Sequence, residues 1–116
     1  MSLSIKVDHK NESVIFAFSG KIQTSEETIE AMDTLEQEIS KEKRMFLYDL
    51  SHLEYITSSG LNFLVRSLTK IRNVGGEIVL CGVKGHVEKL LIISKLNEIF
   101  TIYPTITEGL NKFQVR

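Results

Sequence analysis

The feature that most constrains the fold is a run of four successive apolar residues, Met45-Phe46-Leu47-Tyr48, which ends at Asp49. A strand with one face in water alternates apolar and polar side chains, whereas a strand covered on both faces does not. The run therefore predicts a central strand that lies between two packed layers. A short loop after Asp49 would then lead to a helix that begins at Ser58.

That helix is predicted from the spacing of its apolar residues. Aliphatic side chains occur at i, i+3, i+4, i+7 and i+10, which places them on one face of a helix. These residues are Leu61, Leu64, Val65, Leu68 and Ile71. Gly75 and Gly76 follow in the position where a left-handed residue commonly ends a helix. The chain therefore contains a buried strand followed by an amphipathic helix.

A hairpin and another helix are predicted ahead of the central strand. Strand-forming residues occupy 3–7 and 14–18 with a turn-like segment between them, and Gly20 is expected to end the second strand. Thr24 and Glu27 fit a capping box, in which each residue's side chain bonds the other's backbone. Four side chains then recur at helical spacing, namely Thr28, Met32, Leu35 and Ile39.

Two further strands and two further helices follow the central pair. Residues 77–81 read as a strand, and a third helix is expected from Val87 to about Lys95. Residues 100–103 are predicted to form a short last strand. A second capping box, formed by Thr105 and Glu108, would begin a C-terminal helix.

The predicted order is ββαβαβαβα, which places the chain in the α/β class. Crossovers long enough for parallel strands predict a mixed, mostly parallel sheet of four to five strands, with an N-terminal β-hairpin and about four helices. A length of 116 residues suits one domain, which we expect to span 1–116.

Composition excludes several kinds of partner. Lysine and arginine total 14 against 15 acidic residues, a formal charge of -1, so a basic face for nucleic acid is not expected. No apolar stretch approaches the roughly 20 residues that span a bilayer, and the first four residues lack the apolar core of a signal peptide. We therefore expect a cytoplasmic protein with neither a nucleic-acid nor a membrane partner.

The residues that could carry catalysis or bind a metal are dispersed. His9, His52 and His86 have no ligand-type neighbours at metal-binding spacing, so no metal is predicted. The glycine-rich segments fit neither phosphate-loop pattern, and no cofactor is expected. Asp49, His52 and Ser58 are the residue types of a hydrolytic triad, but Ser58 lacks the G-x-S-x-G context. Cys81 is predicted to be a core residue, and no catalytic residue is assigned.

The segment Thr57-Ser58-Ser59-Gly60 is richer in hydroxyls than a helix start requires. One hydroxyl before a helix ordinarily caps it by accepting a first-turn amide. Two adjacent serines followed by a glycine leave a surplus hydroxyl, which we expect to be exposed. A phosphate on it would lie beside the positive end of the helix dipole, so the fold would tolerate a modification that displaces a docked partner.

The stretch YDLSHLEYITSSGLNFLV, residues 48–65, resembles the signature of the STAS domain, the fold of bacterial anti-sigma factor antagonists. In that family a strand ending in Asp-Leu-Ser leads to Ser-Ser-Gly-Leu at a helix start. The glycine after the second strand, here Gly20, the strand between Gly76 and Gly82 and the segment KLNEIFTIYPTITEGL are also similar to the family. The resemblance covers nearly the whole chain and implies the STAS fold.

The resemblance also implies a function. In such antagonists the first serine of the pair, Ser58 here, is phosphorylated by a partner that is both serine kinase and anti-sigma factor. The unphosphorylated antagonist binds that partner and releases the sigma factor, and a PP2C-type phosphatase resets it. The chain would then be a binding module rather than an enzyme. The partner-binding residues implied are Gln23, Thr24, Thr57, Ser58, Ser59, Gly60 and Asn62.

Two positions depart from the family pattern. Thr57 replaces an aspartate that often precedes the phosphoserine, and Gln23 replaces another aspartate near the second-strand glycine. Both changes remove a carboxylate from the expected interface. They leave Ser59 and Thr57 open as alternative phosphorylation sites. They also leave open a STAS scaffold without a switch, or a regulatory subunit of a stress-signalling or lipid-transport complex.

Overall fold

A computed structural model describes residues 3–114, so the ends of the expected domain 1–116 lie outside the described residues. Each predicted helix and strand is present. In chain order the elements are β1 (Leu3–Lys10), β2 (Ser13–Ile22), α1 (Ser25–Ser40), β3 (Met45–Ile56), α2 (Ser58–Asn73), β4 (Glu77–Cys81), α3 (Gly85–Ile93), a 3-10 turn (Leu96–Glu98), β5 (Thr101–Tyr103) and α4 (Ile106–Gln114).

The five strands form one mixed sheet in the order β1-β2-β3-β4-β5. β1 and β2 pair antiparallel around a two-residue turn, in which Asn11 has a φ of 57°. Asparagine tolerates this left-handed backbone better than most residues. The other neighbouring pairs are parallel and are joined by helical crossovers. The predicted α/β class, hairpin and mostly parallel sheet are confirmed.

The two faces of the sheet carry different layers. Side chains from α1, α2 and α3 pack with one face into the main core, whereas α4 covers a smaller cluster on the other face. Tyr48 lies at the centre of the main core, with its ring 5.3 Å from Phe16, 5.0 Å from Phe18 and 5.9 Å from Phe63. Its buried hydroxyl donates to Ser67 Oγ at 2.9 Å, which satisfies the polar end of the side chain.

Two strands are longer than the sequence predicted. β2 continues past Gly20 to Ile22, and β3 continues past Asp49 to Ile56, so the expected loop between Asp49 and Ser58 is wrong. The pairing of β2 with β3 shifts register twice, and each shift places one extra residue on β3. Such β-bulges interrupt the alternation that marks a strand in sequence. Gly20 has a φ of 93° and adapts β2 to this irregular pairing rather than ending the strand.

The third helix also differs at its ends. α3 begins at Gly85 rather than Val87 and ends at Ile93, two residues before the predicted end. Lys95 has a φ of 64°, a left-handed backbone that cannot continue an α-helix. Cys81 is buried on the α4 side of the sheet, as predicted for a core residue.

Candidate functional site

The predicted site residues meet at the edge of the sheet where β2 and β3 end side by side. Ile22 pairs with Ile56 in the parallel register, and the amide of Thr57 donates to the carbonyl of Ile22 at 3.1 Å. This pairing brings the start of α1, after Gln23, next to the start of α2, after Thr57. The fold therefore unites the two segments that the sequence separates by more than 30 residues.

Thr57, rather than a serine, is the N-cap residue of α2, and it makes no side-chain capping bond. Its hydroxyl instead donates to the carbonyl of Ile22 at 3.3 Å. The expectation that a hydroxyl of this segment accepts a first-turn amide is therefore wrong. The second hydrogen bond to Ile22 takes the threonine side chain away from the helix and fastens the helix start to the end of β2.

Ser58 and Ser59 occupy the first turn of α2. Ser58 is exposed and Ser59 is half-buried. Within residues 3–114, neither serine hydroxyl has a hydrogen-bond partner, and the amides of Ser58, Ser59 and Gly60 find no acceptor. The first turn also lacks an acidic side chain. A helix N-terminus with free amides and no carboxylate is the arrangement that accommodates an anion.

Gly60 allows α2 to approach the strands closely. A Cβ atom at this position would clash with Ile56 Cγ1, and it would lie 2.9 Å from Ile56 Cδ1 and 3.0 Å from Ile22 Cγ2. The residue is buried, so its contribution to a partner surface is indirect. It holds the serine pair against the ends of β2 and β3.

The capping box predicted at the start of α1 is present. Glu27 Oε1 accepts the amides of Gln23 at 2.9 Å and Thr24 at 3.1 Å, while Thr24 Oγ1 accepts the amide of Glu27 at 3.2 Å. Thr24 is thus fixed by capping although it is exposed. The exposed side chains of Gln23 and Asn62 have no hydrogen-bond partner within the described part of the chain.

Tyr55 and His86 are site neighbours that the sequence reasoning missed. Their rings stack with centroids 4.5 Å apart and planes at 14°. His86 Nε2 donates to the carbonyl of Ile56 at 3.3 Å, which joins the start of α3 to the end of β3. The sequence does show an aromatic residue two positions before Thr57 and a histidine after the next strand. Their proximity was not predicted, because β3 was expected to end at Asp49 and not to extend past Tyr55.

Other candidate chemistry is not assembled. Asp49 Oδ1 accepts the amide of Ser51 at 3.1 Å, and His52 Nδ1 is hydrogen-bonded to Ser51 Oγ at 3.2 Å, so neither residue bonds Ser58. No group of three or more potential metal ligands occurs among the described residues. Over the same residues, no helix has the length and apolar character needed to cross a membrane.

Cys81 lacks the environment of a reactive thiol. Burial, with smaller contributions from the negative charges of Asp49 and Glu108, raises the pKa of this thiol to about 12. A thiol must ionise to act as a nucleophile, and this environment disfavours the thiolate. The cysteine is therefore a packing residue beneath α4.

Together the fold and the site define a small α/β domain with an exposed serine at a helix start. Residues 4–109 match the family model of the STAS domain. BtrV of Bordetella bronchiseptica, provisionally named an anti-sigma factor antagonist, is 31% identical over 101 residues, which cover 86% of this chain and 85% of BtrV. The anti-sigma F factor antagonist of Paenibacillus polymyxa is 27% identical over 115 residues, with coverage of 99% and 98%. The chain belongs to the STAS domain family.

Solved structures agree with this assignment at the level of the fold. The anti-sigma factor antagonist SpoIIAA in its unphosphorylated form has a TM-score of 0.85 at 15% identity, with coverage of 97% of this chain and 98% of that one. The phosphorylated form of SpoIIAA, a Bacillus cell fate determinant, has a TM-score of 0.76 at 16% identity, with coverage of 97% and 100%. The same architecture therefore accommodates very different sequences.

Proposed function

We propose that this chain is an anti-sigma factor antagonist whose binding is controlled by phosphorylation of Ser58. The observation that carries the proposal is the exposed, unpaired hydroxyl of Ser58 on a helix turn with free amides. The homologous antagonists, and the existence of SpoIIAA in a phosphorylated form, support it. The chain acts as a ligand and substrate of its partner, not as a catalyst.

Phosphorylation would change the site mainly through charge. A phosphoserine carries about -1.5 to -2 charges at neutral pH, which the free amides of the first turn and the helix dipole can stabilise. The domain would therefore remain folded. A partner that desolvates the helix start would be repelled, because burying an unpaired charge at an interface costs several kcal/mol, on the order of 2–5.

Ser58 is preferred over the two other hydroxyls for structural reasons. The hydroxyl of Thr57 is occupied by its hydrogen bond to Ile22, and Ser59 is half-buried against the domain. Ser58 combines exposure with a free hydroxyl. A kinase must reach the oxygen and place it near the transferred phosphoryl group, so an exposed, unpaired oxygen is the better acceptor.

The proposed partners follow from this role. One is an anti-sigma factor that is also a serine kinase and brings its own ATP, and the other is a PP2C-type phosphatase that removes the phosphate. The unphosphorylated chain binds the first and so releases the sigma factor. The contact surface includes the exposed side chains of Gln23, Thr24, Ser58 and Asn62, with Thr57, Ser59 and Gly60 shaping it from beneath.

Substitution of Ser58 tests the proposal. Ser58→Ala should abolish labelling by the kinase and retain binding within about twofold, whereas Ser58→Asp should weaken binding by about tenfold or more. Phosphate transfer from radiolabelled ATP and titration calorimetry measure the two effects. Ser59→Ala is the matched control and should behave like the natural protein. Undiminished labelling of Ser58→Ala would refute the site.

A STAS scaffold without a switch is the second candidate. It is favoured by the missing carboxylates at Thr57 and Gln23 and by the use of Thr57 to fasten the helix start. In that case Ser58 is simply an exposed first-turn residue. Intact-mass measurement of the protein from its native cells, before and after phosphatase treatment, separates the two. A population heavier by one phosphate favours the switch, and its absence under all growth conditions favours the scaffold.

A further inference from the structure

The Tyr55–His86 stack lies beside the proposed phosphorylation site and belongs to neither the capping boxes nor the core. Tyr55 precedes Ser58 by three residues and is 38% exposed, one of six large hydrophobic residues in the described part of the chain that remain open to solvent. His86 packs flat on it at 4.5 Å and donates to Ile56. The pair therefore joins β3 and α3 at the point from which α2 departs.

The stack is held in place before any partner arrives. A ring contact and a hydrogen bond both restrain His86, and the extended backbone of β3 holds Tyr55. A side chain that is already ordered loses little conformational entropy when it enters an interface. Tyrosine is also enriched among the residues that dominate binding energy at protein interfaces. An exposed, preorganised aromatic pair is suited to anchoring a protein partner.

A groove of about 590 Å³ adjoins the stack and includes His86 in its wall. Leu53 forms part of its floor, and His52, Glu54 and Lys84 stand around it. Charges of both signs at the rim and apolar surface below match the layout of a protein interface, which has an apolar centre and a polar rim. The groove is large enough to receive a protruding side chain or a short loop.

We infer that the contact surface for the kinase and anti-sigma partner extends from Ser58 across the Tyr55–His86 stack to this groove. The inference rests on the proposed function and assigns two docking residues to the same site. Tyr55 and His86 bind the partner and do not take part in phosphate transfer. Their loss should raise the KM for the domain as a kinase substrate and leave kcat nearly unchanged.

Photo-crosslinking in the native cells tests this extension directly. A photoreactive amino acid is placed in turn at Tyr55, at Asn62 on the first turns of α2, and at Lys6 on β1 as a distant control. Capture of the kinase that phosphorylates Ser58 from positions 55 and 62, and not from position 6, supports the inference. Capture from position 62 alone overturns the inference and leaves the proposed function standing. Capture from neither site contradicts both.

Kinetics with the captured kinase then tests the docking role. Tyr55→Ala and His86→Ala should each raise KM for Ser58 phosphorylation by about tenfold, equivalent to about 1.4 kcal/mol, with kcat changed by less than about twofold. Lys6→Ala, at an exposed position on β1 away from the groove, is the control and should leave KM unchanged. A fall in kcat with unchanged KM would contradict the docking role and would mean instead that Tyr55 and His86 position Ser58 for phosphate transfer. Circular dichroism checks that each variant is folded. Because Tyr55 is exposed, its substitution should disturb the fold less.

Discussion

At the scale of single residues, three neighbouring hydroxyls have three different surroundings. The hydroxyl of Thr57 donates to Ile22, Ser59 is half-buried, and Ser58 stands free in solvent. The capping rule, applied to the sequence, treated them as equivalent oxygens at a helix start. The fold distinguishes them because β2 ends beside Thr57 and provides a carbonyl acceptor that the local sequence does not contain.

Gly60 is the residue at this site with the least room for change. In Gly60→Ala the new methyl group would meet Ile56 and Ile22, so relief requires movement of α2 or of buried side chains. Overpacking of this kind costs about 1–3 kcal/mol, and the gain in helix propensity, about 1 kcal/mol, offsets only part of it. We expect a net loss in the free energy of unfolding, measured by urea denaturation.

Asn62→Ala provides the control for Gly60→Ala. It introduces the same residue two positions later on the same helix, but at an exposed position with no hydrogen-bond partner in the described chain. It should be neutral or slightly stabilising. Equal stability of the two variants would mean that the close approach of α2 to the strands is unimportant.

At the scale of elements, the helices flanking the site begin in different ways. α1 starts with a complete capping box in which Thr24 and Glu27 satisfy each other's amides, whereas α2 starts without any side-chain cap. Capping stabilises a helix end but fills the position that an anion would occupy. The capped start of α1 therefore lies next to the uncapped start of α2, where an anion could bind.

Thr24→Ala should therefore destabilise the domain through α1. Loss of a threonine cap costs about 0.5–2 kcal/mol. Thr34→Ala makes the same substitution in the body of α1, where the threonine hydroxyl donates to the carbonyl of Glu30 at 3.0 Å. Alanine is the better residue in a helix interior, so this variant should be neutral or slightly stabilised. Urea midpoints that moved equally for both would rule out a specific capping contribution.

At the scale of the whole molecule, the two faces of the sheet each bury one group that ionises only at high pH. Tyr48 lies in the main core and Cys81 lies under α4. Burial raises the pKa of Tyr48 well above its usual range, and burial together with two nearby carboxylates raises the pKa of Cys81 to about 12. Both groups therefore keep their protons in the folded domain at pH values where the unfolded chain loses them.

Stability should consequently fall in alkaline solution. The unfolded thiol ionises near pH 8.5 and the unfolded phenol near pH 10, so the loss begins above about pH 8.5 and grows toward the folded pKa values. Allowing for solvent screening, Cys81 should contribute a loss of about 1 kcal/mol between about pH 7.5 and 9.5.

Denaturation with urea at the two pH values, for the natural protein and for Cys81→Ala, measures this contribution. The alanine variant should be somewhat less stable at neutral pH, because it leaves a small cavity, but should lose less stability on alkalinisation. An identical pH slope in both proteins would show that the thiol does not contribute.

The sequence predicted the class of fold because each helix and strand carries its own signal. The run at 45–48, the aliphatic spacing of α2 and the capping box of α1 are local patterns, and all three were confirmed. At the start of α4, Thr105 Oγ1 accepts the amide of Glu108 as predicted, but the carboxylate of Glu108 accepts from the hydroxyl of Thr105 rather than from its amide. The ends of β2 and β3 were wrong because bulges break alternation, and bulges depend on how two distant strands pair. The neighbourhood of Tyr55 and His86 was missed for the same reason.

The two bulges of β3 have a consequence for how such a chain can vary in length. Buried side chains on the helix-bearing face follow every second residue from Phe46 to Leu50, then jump by three to Leu53 and again by three to Ile56. At each jump a bulge absorbs one extra residue, so Leu53 and Ile56 stay on the same face as Phe46 and Leu50. Deleting one extra residue would remove a bulge and restore regular alternation, with the side chains after it still on the face they occupy now. Residues can therefore be gained or lost here one at a time, at the bulges, without changing the side of the sheet on which Ser58 emerges.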